Sequence, residues 1–218
     1  MFQKACQIFW DVNCQVGGGK NQKQGLHGMG CEVSPLHILT ARHVWEETSA
    51  QYDYPIVMKH DGIFRSEVAF ESADHDLLLL KCKKKISDCN FQKPQSYPKI
   101  FGKSLSLGVS VGYITALHLP QPSGDTSRHT CFSSTSVSFD FKDAKTQTRL
   151  IVLGGGIMQK GFSGGPVFTV DGSLVGIIVQ SLQFATDCGH FSATSYTLPV
   201  MSPLFPFKSK IESLISKG

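Results

Sequence analysis

A serine lies in the middle of a short glycine-rich stretch, Gly161-Phe162-Ser163-Gly164-Gly165-Pro166. Glycines leave little side-chain bulk around the serine hydroxyl and allow several backbone N–H groups to point into one small space. Such a turn can hold a nucleophile and stabilise the negative charge that develops on a carbonyl oxygen. A serine hydroxyl is a weak nucleophile at neutral pH, so this chemistry needs a nearby base and a group that orients the base.

Candidates for both groups come earlier in the chain. His43, in Leu39-Thr40-Ala41-Arg42-His43-Val44, is the candidate base. Asp76, which opens Asp76-Leu77-Leu78-Leu79-Leu80-Lys81, is the candidate orienting acid. Asp74 is the alternative acid, because residues two apart on an extended chain share a face. The candidates therefore follow the chain order His, Asp, Ser.

This order and these local contexts resemble the chymotrypsin-like serine proteases. Their motifs are an Ala-x-His turn, an Asp followed by an apolar run and Lys, and Gly-x-Ser-Gly-Gly-Pro. The resemblance spans most of the chain and is closer to HtrA-type and bacterial trypsin-like peptidases than to digestive trypsins. The histidine motif argues against an ordinary buried histidine at position 43. The acid motif favours Asp76 over Asp74, because Asp76 directly precedes the apolar run.

Gly161-x-Ser163-x-Gly165 also satisfies the nucleophile elbow of α/β-hydrolases. An elbow serine lies between a strand and a helix, whereas the residues after Pro166 are Val167-Phe168-Thr169-Val170, an apolar run typical of a strand. The hydrolases also place the histidine last in the chain. The chymotrypsin-like order therefore fits better.

Many short apolar runs separated by turn signals, with one convincing helix at the end, predict an all-β protein. The resemblance implies a chymotrypsin-like fold of two six-stranded antiparallel Greek-key β-barrels, with the site in the crevice between them and a short C-terminal helix. We expect a single protease domain over residues 1–218. Its N-terminal barrel, over residues 1–93, contains His43 and Asp76. Its C-terminal barrel, over residues 100–206, contains Ser163, and the C-terminal helix covers residues 207–218.

The segment from Gly17 to Gln24 is polar and glycine-rich, and it predicts a flexible loop. A phosphate-binding role would need a lysine-serine helix start after the glycines, and none follows. We therefore expect this segment to have no part in the chemistry.

The resemblance implies a serine endopeptidase that acts on polypeptide substrates. His43 would take the proton of Ser163 and pass it to the leaving amine, while Asp76 orients the imidazole. The N–H groups of Gly161 and Ser163 would form the oxyanion hole. No metal or organic cofactor is needed. A catalytically silent binding module on the same fold is the alternative, because a fold does not imply an activity; an esterase is a more distant one.

Phe162 stands where digestive relatives have an aspartate that pairs with a newly cleaved N-terminus. Phenylalanine cannot make that ion pair, so we expect regulation by a protein partner or by loop ordering rather than by N-terminal cleavage. Alignment with the family puts the specificity pocket at Ile157, Val179, Gln180 and Ser181. None of these is acidic, which favours an apolar or small side chain before the scissile bond.

The net charge is +4 at pH 7, and the longest basic run is Lys83-Lys84-Lys85. We therefore expect no nucleic-acid partner. The sequence has no run of 18 apolar residues and no visible signal peptide, so we expect no membrane association.

Seven cysteines are scattered along the chain, an odd number without clustering. Secreted relatives have a cysteine directly after the catalytic histidine, where this chain has Val44. Free thiols in a reducing compartment are the simpler interpretation, and we expect a cytoplasmic protein. Cys188-x-His190 and His129-x-Cys131 lack the paired spacing of known structural zinc sites, so no metal site is predicted.

Overall fold

The computed structural model describes residues 11–20, 23–89, 93–120, 126–154, 161–186 and 194–217. Its strands form two closed six-stranded antiparallel barrels, which confirms the expected chymotrypsin-like fold. The first barrel closes in the order β1-β2-β3-β6-β5-β4 and the second in the order β10-β11-β12-β9-β8-β7. Within each barrel the first and last strands of this order pair with each other, so the sheet leaves no free edge strand.

The first barrel contains β1 (Asn13–Lys20), β2 (Lys23–Ser34), β3 (His37–Ala41), β4 (Tyr54–Lys59), β5 (Gly62–Ser72) and β6 (Leu77–Ser87). The second barrel contains β7 (Ser110–Pro120), β8 (Thr126–Lys142), β9 (Arg149–Gly154), β10 (Pro166–Thr169), β11 (Leu174–Thr186) and β12 (Thr194–Pro203). The segment between β6 and β7 is the connection between the barrels.

Two α-helices lie wholly within the described residues. Helix α1 (Arg42–Ser49) follows β3 directly, and α2 (Lys208–Ser216) ends the chain after a short 3-10 turn at Phe205–Phe207. Ile211 of α2 is fully buried, and Leu214 and Ile215 pack against the core. The terminal helix therefore docks by the apolar face that its sequence predicts. No helix of the described ranges is both long and apolar enough to cross a membrane.

The apolar run after Asp76 forms the centre of the first barrel. Leu77 to Leu80 begin β6, and all four are fully buried. Strand β6 pairs with β3 on one side and β5 on the other. Because neither face of this part of β6 meets solvent, a continuous leucine run replaces the alternation of a half-exposed strand.

The glycine-rich segment beginning at Gly17 is not a loop, and that prediction is wrong. Gly17 to Gly19 form the second half of β1 and pair with both β2 and β4. A Cβ atom on Gly17 would lie 1.7 Å from the Gly25 carbonyl oxygen, and one on Gly18 would lie 2.5 Å from the Tyr52 ring. Gly17 therefore permits close approach of the β2 backbone and Gly18 makes room for the Tyr52 ring, so these glycines serve packing rather than flexibility.

A buried ion pair lies where the β2–β3 and β4–β5 turns meet, at the end of β3 opposite to α1. Glu32 and Lys59 are 1% and 4% exposed, and Lys59 Nζ lies 3.2 Å from Glu32 Oε1. His60 Nδ1 is 3.0 Å from Glu32 Oε2 and Asp61 Oδ1 accepts a 2.6 Å hydrogen bond from Lys59. Burial raises the pKa of Glu32, although Lys59 and His60 oppose this effect. The barrel end is thus closed by paired charges.

The four cysteines whose side chains the structure describes are free thiols. Cys14, Cys31 and Cys82 are buried inside the first barrel, and Cys89 is half-buried after β6. Burial raises the pKa of the Cys82 thiol to about 11. These thiols therefore act as small apolar side chains of the core.

We predict that Gly17→Ala destabilises the protein by about 3 kcal/mol, because the new methyl group meets the backbone of Gly25 and one strand must move. Gly102→Ala is the control, since its Cβ would meet only the flexible end of Lys208 at 3.6 Å. Urea denaturation of both variants measures the difference. Equal stability would mean that the Gly17 segment is a loop.

Candidate active site

The pairing of β3 with β6 brings His43 and Asp76 together. Ala41, the last residue of β3, pairs with Leu77, the first residue of β6. His43 follows β3 by two residues and Asp76 precedes β6 by one. Two residues that are 33 positions apart in the chain thus meet at one end of the first barrel.

Both carboxylate oxygens of Asp76 accept hydrogen bonds from His43. The ring Nδ1–H donates to Oδ2 at 2.6 Å, and the backbone N–H donates to Oδ1 at 2.8 Å. Asp74, the alternative acid, is exposed and makes no hydrogen bond to His43 in the described residues. With Nδ1 holding the proton, Nε2 of the neutral ring is the basic nitrogen.

Asp76 also satisfies the first N–H groups of α1. Ala41, at the N-cap position, has no side chain that can cap the helix. The Arg42 N–H donates to the Asp76 carbonyl oxygen at 2.9 Å, in addition to the His43 N–H that binds the carboxylate. The negative charge lies at the positive end of the helix, which stabilises both. Asp76 therefore locks the helix and the imidazole with one side chain.

Asp76 has a φ of 50°, a left-handed conformation that costs a non-glycine residue free energy. Its N–H donates to the Ala73 carbonyl oxygen at 3.1 Å, which closes the turn before β6. The hydrogen bonds to Arg42 and His43 hold the residue in this conformation. The strain lies at the residue that orients the candidate base.

Burial lowers the pKa of His43, but the hydrogen bond and negative charge of Asp76 outweigh it, with smaller contributions from Glu47 and Glu46. The net pKa of His43 lies above its ordinary value. His43 therefore becomes neutral at a higher pH than an ordinary histidine does. Once neutral, it is a stronger base and accepts a proton more readily.

The Ser163 turn packs against β2 of the first barrel. The Met29 N–H donates to the Ser163 carbonyl oxygen at 2.8 Å. A Cβ on Gly28 would lie 2.8 Å from that oxygen and 2.6 Å from Cγ2 of Val44, the residue after His43. The serine turn and the start of α1 therefore converge on Gly28 of β2.

Gly164 fits this contact because it has no side chain. Its φ is 86°, and a Cβ would lie 1.9 Å from the Met29 carbonyl oxygen and 2.3 Å from Thr40 Oγ1. Thr40 is fully buried and donates a 2.7 Å hydrogen bond to the same Met29 carbonyl. The Gly164 N–H donates to Ile178 of β11, so the turn is tied to both barrels.

The N–H groups of the serine turn fall into two sets among the described residues. The N–H groups of Gly164 and Gly165 bind the carbonyl oxygens of Ile178 and Phe162. Those of Gly161, Phe162 and Ser163 have no backbone acceptor in the described part of the chain. Gly161 and Ser163, the two donors predicted for an oxyanion hole, belong to the second set, and the φ of 96° at Gly161 is one that glycine adopts without strain.

Ser163 is half-buried, and its Oγ makes no hydrogen bond within the residues that the structure describes. The structure thus joins His43 to Asp76 directly and joins Ser163 to the same region through its backbone. Hydrogen bonds between a nucleophile and its base often form fully only when substrate is bound.

Of the predicted specificity residues, Val179 is buried, whereas Gln180 and Ser181 are exposed. The register of β11 against β12 shifts between Ile178 and Gln180, which marks a bulge there. Val179 and Gln180 line a cavity of about 250 Å³ together with Asp76. Ile157 lies outside the described residues.

The four residues of the two Cys/His pairs considered as zinc ligands have no described side chains. Cys188 and His190 lie outside the described residues, and nothing is described of the side chains of His129 and Cys131. Among the described side chains, no group of three His, Cys, Asp or Glu residues is arranged to hold a metal ion.

Sequence analysis missed the contribution of β2. Gly28 and Met29 hold the serine turn through a backbone hydrogen bond and through the absence of a side chain. A backbone N–H is common to all residue types except proline, so the sequence carries no signal for its partner. The cap that Asp76 provides for α1 was likewise not predicted, because its carboxylate reaches the helix from a distant part of the chain.

The two barrels define a trypsin-like protease fold, and comparison with known proteins agrees. The family model described as "Trypsin-like peptidase domain" matches residues 28–177. This match covers more than half of the chain, which therefore belongs to the trypsin-like peptidase domain family and has the fold and sequence pattern of serine proteases. Comparison with curated proteins gives no match.

Two solved structures share this fold. The serine endoprotease from Yersinia pestis superposes with a TM-score of 0.62 at 17% identity, over 99% of this chain and 67% of that one. The MamO protease domain from Magnetospirillum magneticum superposes with a TM-score of 0.60 at 17% identity, over 94% of this chain and 98% of that one. At such identities the likeness concerns the fold alone.

We predict that Gly164→Ala is far more damaging than Gly108→Ala. Both glycines have positive φ, so both variants bear a backbone strain of about 1 kcal/mol. Only at Gly164 does the methyl group also collide with Met29 and Thr40; at Gly108 nothing lies within 4 Å. Thermal unfolding should show a much larger loss for Gly164→Ala, and equal losses would contradict the tight contact with β2.

We predict that the pKa of His43 lies above the ordinary histidine value and falls in Asp76→Asn, because burial then acts without the opposing carboxylate. The raised value also means that protonated His43 contributes stability fully below its unfolded pKa, and that this contribution is lost as pH rises through the folded pKa. NMR titration of the ring of His43 measures both values. An unchanged pKa in Asp76→Asn would show that the carboxylate does not control the imidazole.

Proposed function

We propose that this protein is a serine endopeptidase that hydrolyses peptide bonds through His43, Asp76 and Ser163. The observation that carries the proposal is the pair of hydrogen bonds from His43 to both oxygens of Asp76. This arrangement directs the basic nitrogen of the imidazole away from the acid, as a histidine that must deprotonate a serine requires.

In the proposed mechanism Ser163 Oγ attacks the carbonyl carbon of the substrate while His43 Nε2 accepts its proton. Asp76 keeps Nδ1 protonated and stabilises the imidazolium that forms. The imidazolium then donates its proton to the leaving amine, and an acyl-enzyme remains. Water, deprotonated by His43, attacks the ester and releases the second product.

The N–H groups of Gly161 and Ser163 support the proposal because they lack acceptors among the described residues. Both can donate to the oxygen that becomes negative as the tetrahedral intermediate forms. Each such donor contributes about 3 kcal/mol to the stability of the transition state. The N–H groups of Gly164 and Gly165 hold the part of the turn that follows Ser163.

Polypeptide substrates follow from the family, and we propose that they lie along β11 near Gln180. The pairing of β10 with β11 ends at Ile177, whereas β11 continues to Thr186. Val179, Gln180 and Asp76 line one cavity, so this part of β11 lies beside the proposed catalytic acid. The proposed specificity pocket consists of Ile157, Val179, Gln180 and Ser181.

We further propose that activity is controlled by a protein partner or by loop ordering, and not by a cleaved N-terminus. Phe162, the residue before the proposed nucleophile, is 1% exposed and fully apolar. It has no charge with which to bind an ammonium group, and its burial anchors the serine turn in the core instead.

The proposal predicts that a fluorophosphonate adds once to the protein and that the adduct maps to Ser163 by intact-mass and peptide analysis. Ser163→Ala and His43→Ala should lose this labelling, because the first removes the nucleophile and the second removes its base. Ser213→Ala, at an exposed serine of α2, is the matched control and should label normally.

Peptide and ester substrates then separate an endopeptidase from an esterase. For Asp76→Asn we expect a loss of about 10⁴-fold in kcat on a peptide substrate, because the imidazole is no longer held in the right tautomer. Absent labelling in a folded protein, with or without candidate partners, would favour the catalytically silent binding module.

A further inference from the structure

A second cavity of about 250 Å³ lies on the other side of the turn that carries Asp76. His75 lines both this cavity and the one that Asp76 shares with Val179 and Gln180. Its other walls come from the connection between the barrels, from β9, β11 and β12, and from the 3-10 turn before α2. We call it the rear cavity. Both barrels contribute to it, and so does the segment that joins them.

The wall of the rear cavity combines apolar surface with positive charge. Leu105 and Val175 are buried in the wall, and Phe205 is 46% exposed although it is a large aromatic residue. Lys103 and Arg149 supply the cationic groups, and no acidic residue lines the cavity. A ligand that matches this wall has an apolar body and a negative group.

The two cations are held differently. Arg149 Nε donates to Asp140 Oδ2 at 2.6 Å, and Arg149 Nη1 donates to Ser104 Oγ, so the guanidinium is fixed in place. Lys103 makes no ion pair or hydrogen bond with its side chain in the described residues, and it lies on the exposed rim. Lys103 is therefore the cation that is available to a ligand.

His75 is fixed between the rear cavity and Asp76. Its Nδ1 is 3.2 Å from Ser72 Oγ, and its ring meets the edge of Phe207 with centroids 4.6 Å apart. Burial lowers the pKa of His75, and Asp74 only partly opposes this effect, which favours the neutral ring. A neutral imidazole offers a hydrogen bond to an anion without adding another permanent charge.

The size of the rear cavity limits the ligand. Sites for drug-sized molecules enclose roughly 300–1,000 Å³, so this cavity holds only a small compound. The neighbouring Asp76 turn is strained at a φ of 50° and is held by four hydrogen bonds, so we expect a displacement of His75 to alter its geometry.

We propose that the rear cavity binds a small apolar carboxylate, with Lys103 as its principal cationic contact, and that binding acts through His75 on the turn that carries Asp76. The binding step depends on this cavity alone. Its effect on peptide hydrolysis rests on the proposed function, because Asp76 orients the base only if His43 is the base.

The test uses 3-phenylpropionate as the probe and 3-phenylpropionamide as its uncharged counterpart. Calorimetric titration of the whole chain should show saturable binding of the acid with a Kd of about 1 mM, typical of a ligand of this size, and at least fivefold weaker binding of the amide. Lys103→Gln should raise the Kd of the acid about fivefold and leave the Kd of the amide unchanged. Lys99→Gln, an exposed lysine outside the cavity, should change neither.

Val175→Phe fills the cavity and should abolish binding of both compounds, and a normal melting curve shows that the variant is folded. NMR spectra should show shifts of the amide signals of Asp76 and Arg42 on addition of the acid, with smaller shifts in Lys103→Gln. Equal binding of acid and amide, or no effect of Lys103→Gln, would overturn the proposal. So would unmoved Asp76 and Arg42 signals at saturation.

The binding and NMR measurements do not require catalysis, so they separate this proposal from the proposed function. If the protein binds the acid but does not react with the fluorophosphonate, the ligand proposal for the rear cavity stands and the proposed peptidase activity is contradicted. If the protein reacts at Ser163 but does not bind the acid, the proposed peptidase activity stands and the ligand proposal for the rear cavity is contradicted.

Discussion

The antiparallel pairing of β3 with β6 is the constraint on which the candidate site depends. It brings the end of β3 beside the start of β6. His43 and Asp76 lie within two residues of these strand ends, so the strands themselves fix their positions. Asp76 then uses its carbonyl and its carboxylate to cap α1 and to hold the imidazole. The fully buried leucines of β6 support this arrangement, because both faces of this part of the strand pack in the protein interior.

The candidate site also requires contact between the two barrels, which places the Ser163 turn against the first barrel. Met29 holds the Ser163 carbonyl, and Gly164 packs against the same residue with no room for a side chain. The glycines near the serine thus have different tasks. Gly164 permits the close approach of two backbones, whereas Gly161 adopts a positive φ in the turn before Ser163. A site built in this way is assembled by backbone as much as by side chains.

The charges near the site are arranged around one strained turn. His75 and Asp76 are consecutive residues with different neighbourhoods: one lies against Phe207 and two cavities, and the other lies against His43 and α1. Rigid pairing holds both ends of this turn.

The sequence alone determined the fold class, the strand that carries the leucine run, and the pairing partner expected for His43. Those features depend on local patterns: apolar periodicity, turn residues and short motifs around each reactive side chain. Sequence analysis was wrong about Gly17 to Gly19, since glycines that permit close strand packing look like glycines that permit flexibility until the opposing backbone is known. The roles of Gly28 and Met29, the helix cap from Asp76 and the rear cavity were decided only by the tertiary structure. Each depends on which backbone groups meet across distant parts of the chain, and backbone groups are nearly the same for every residue type.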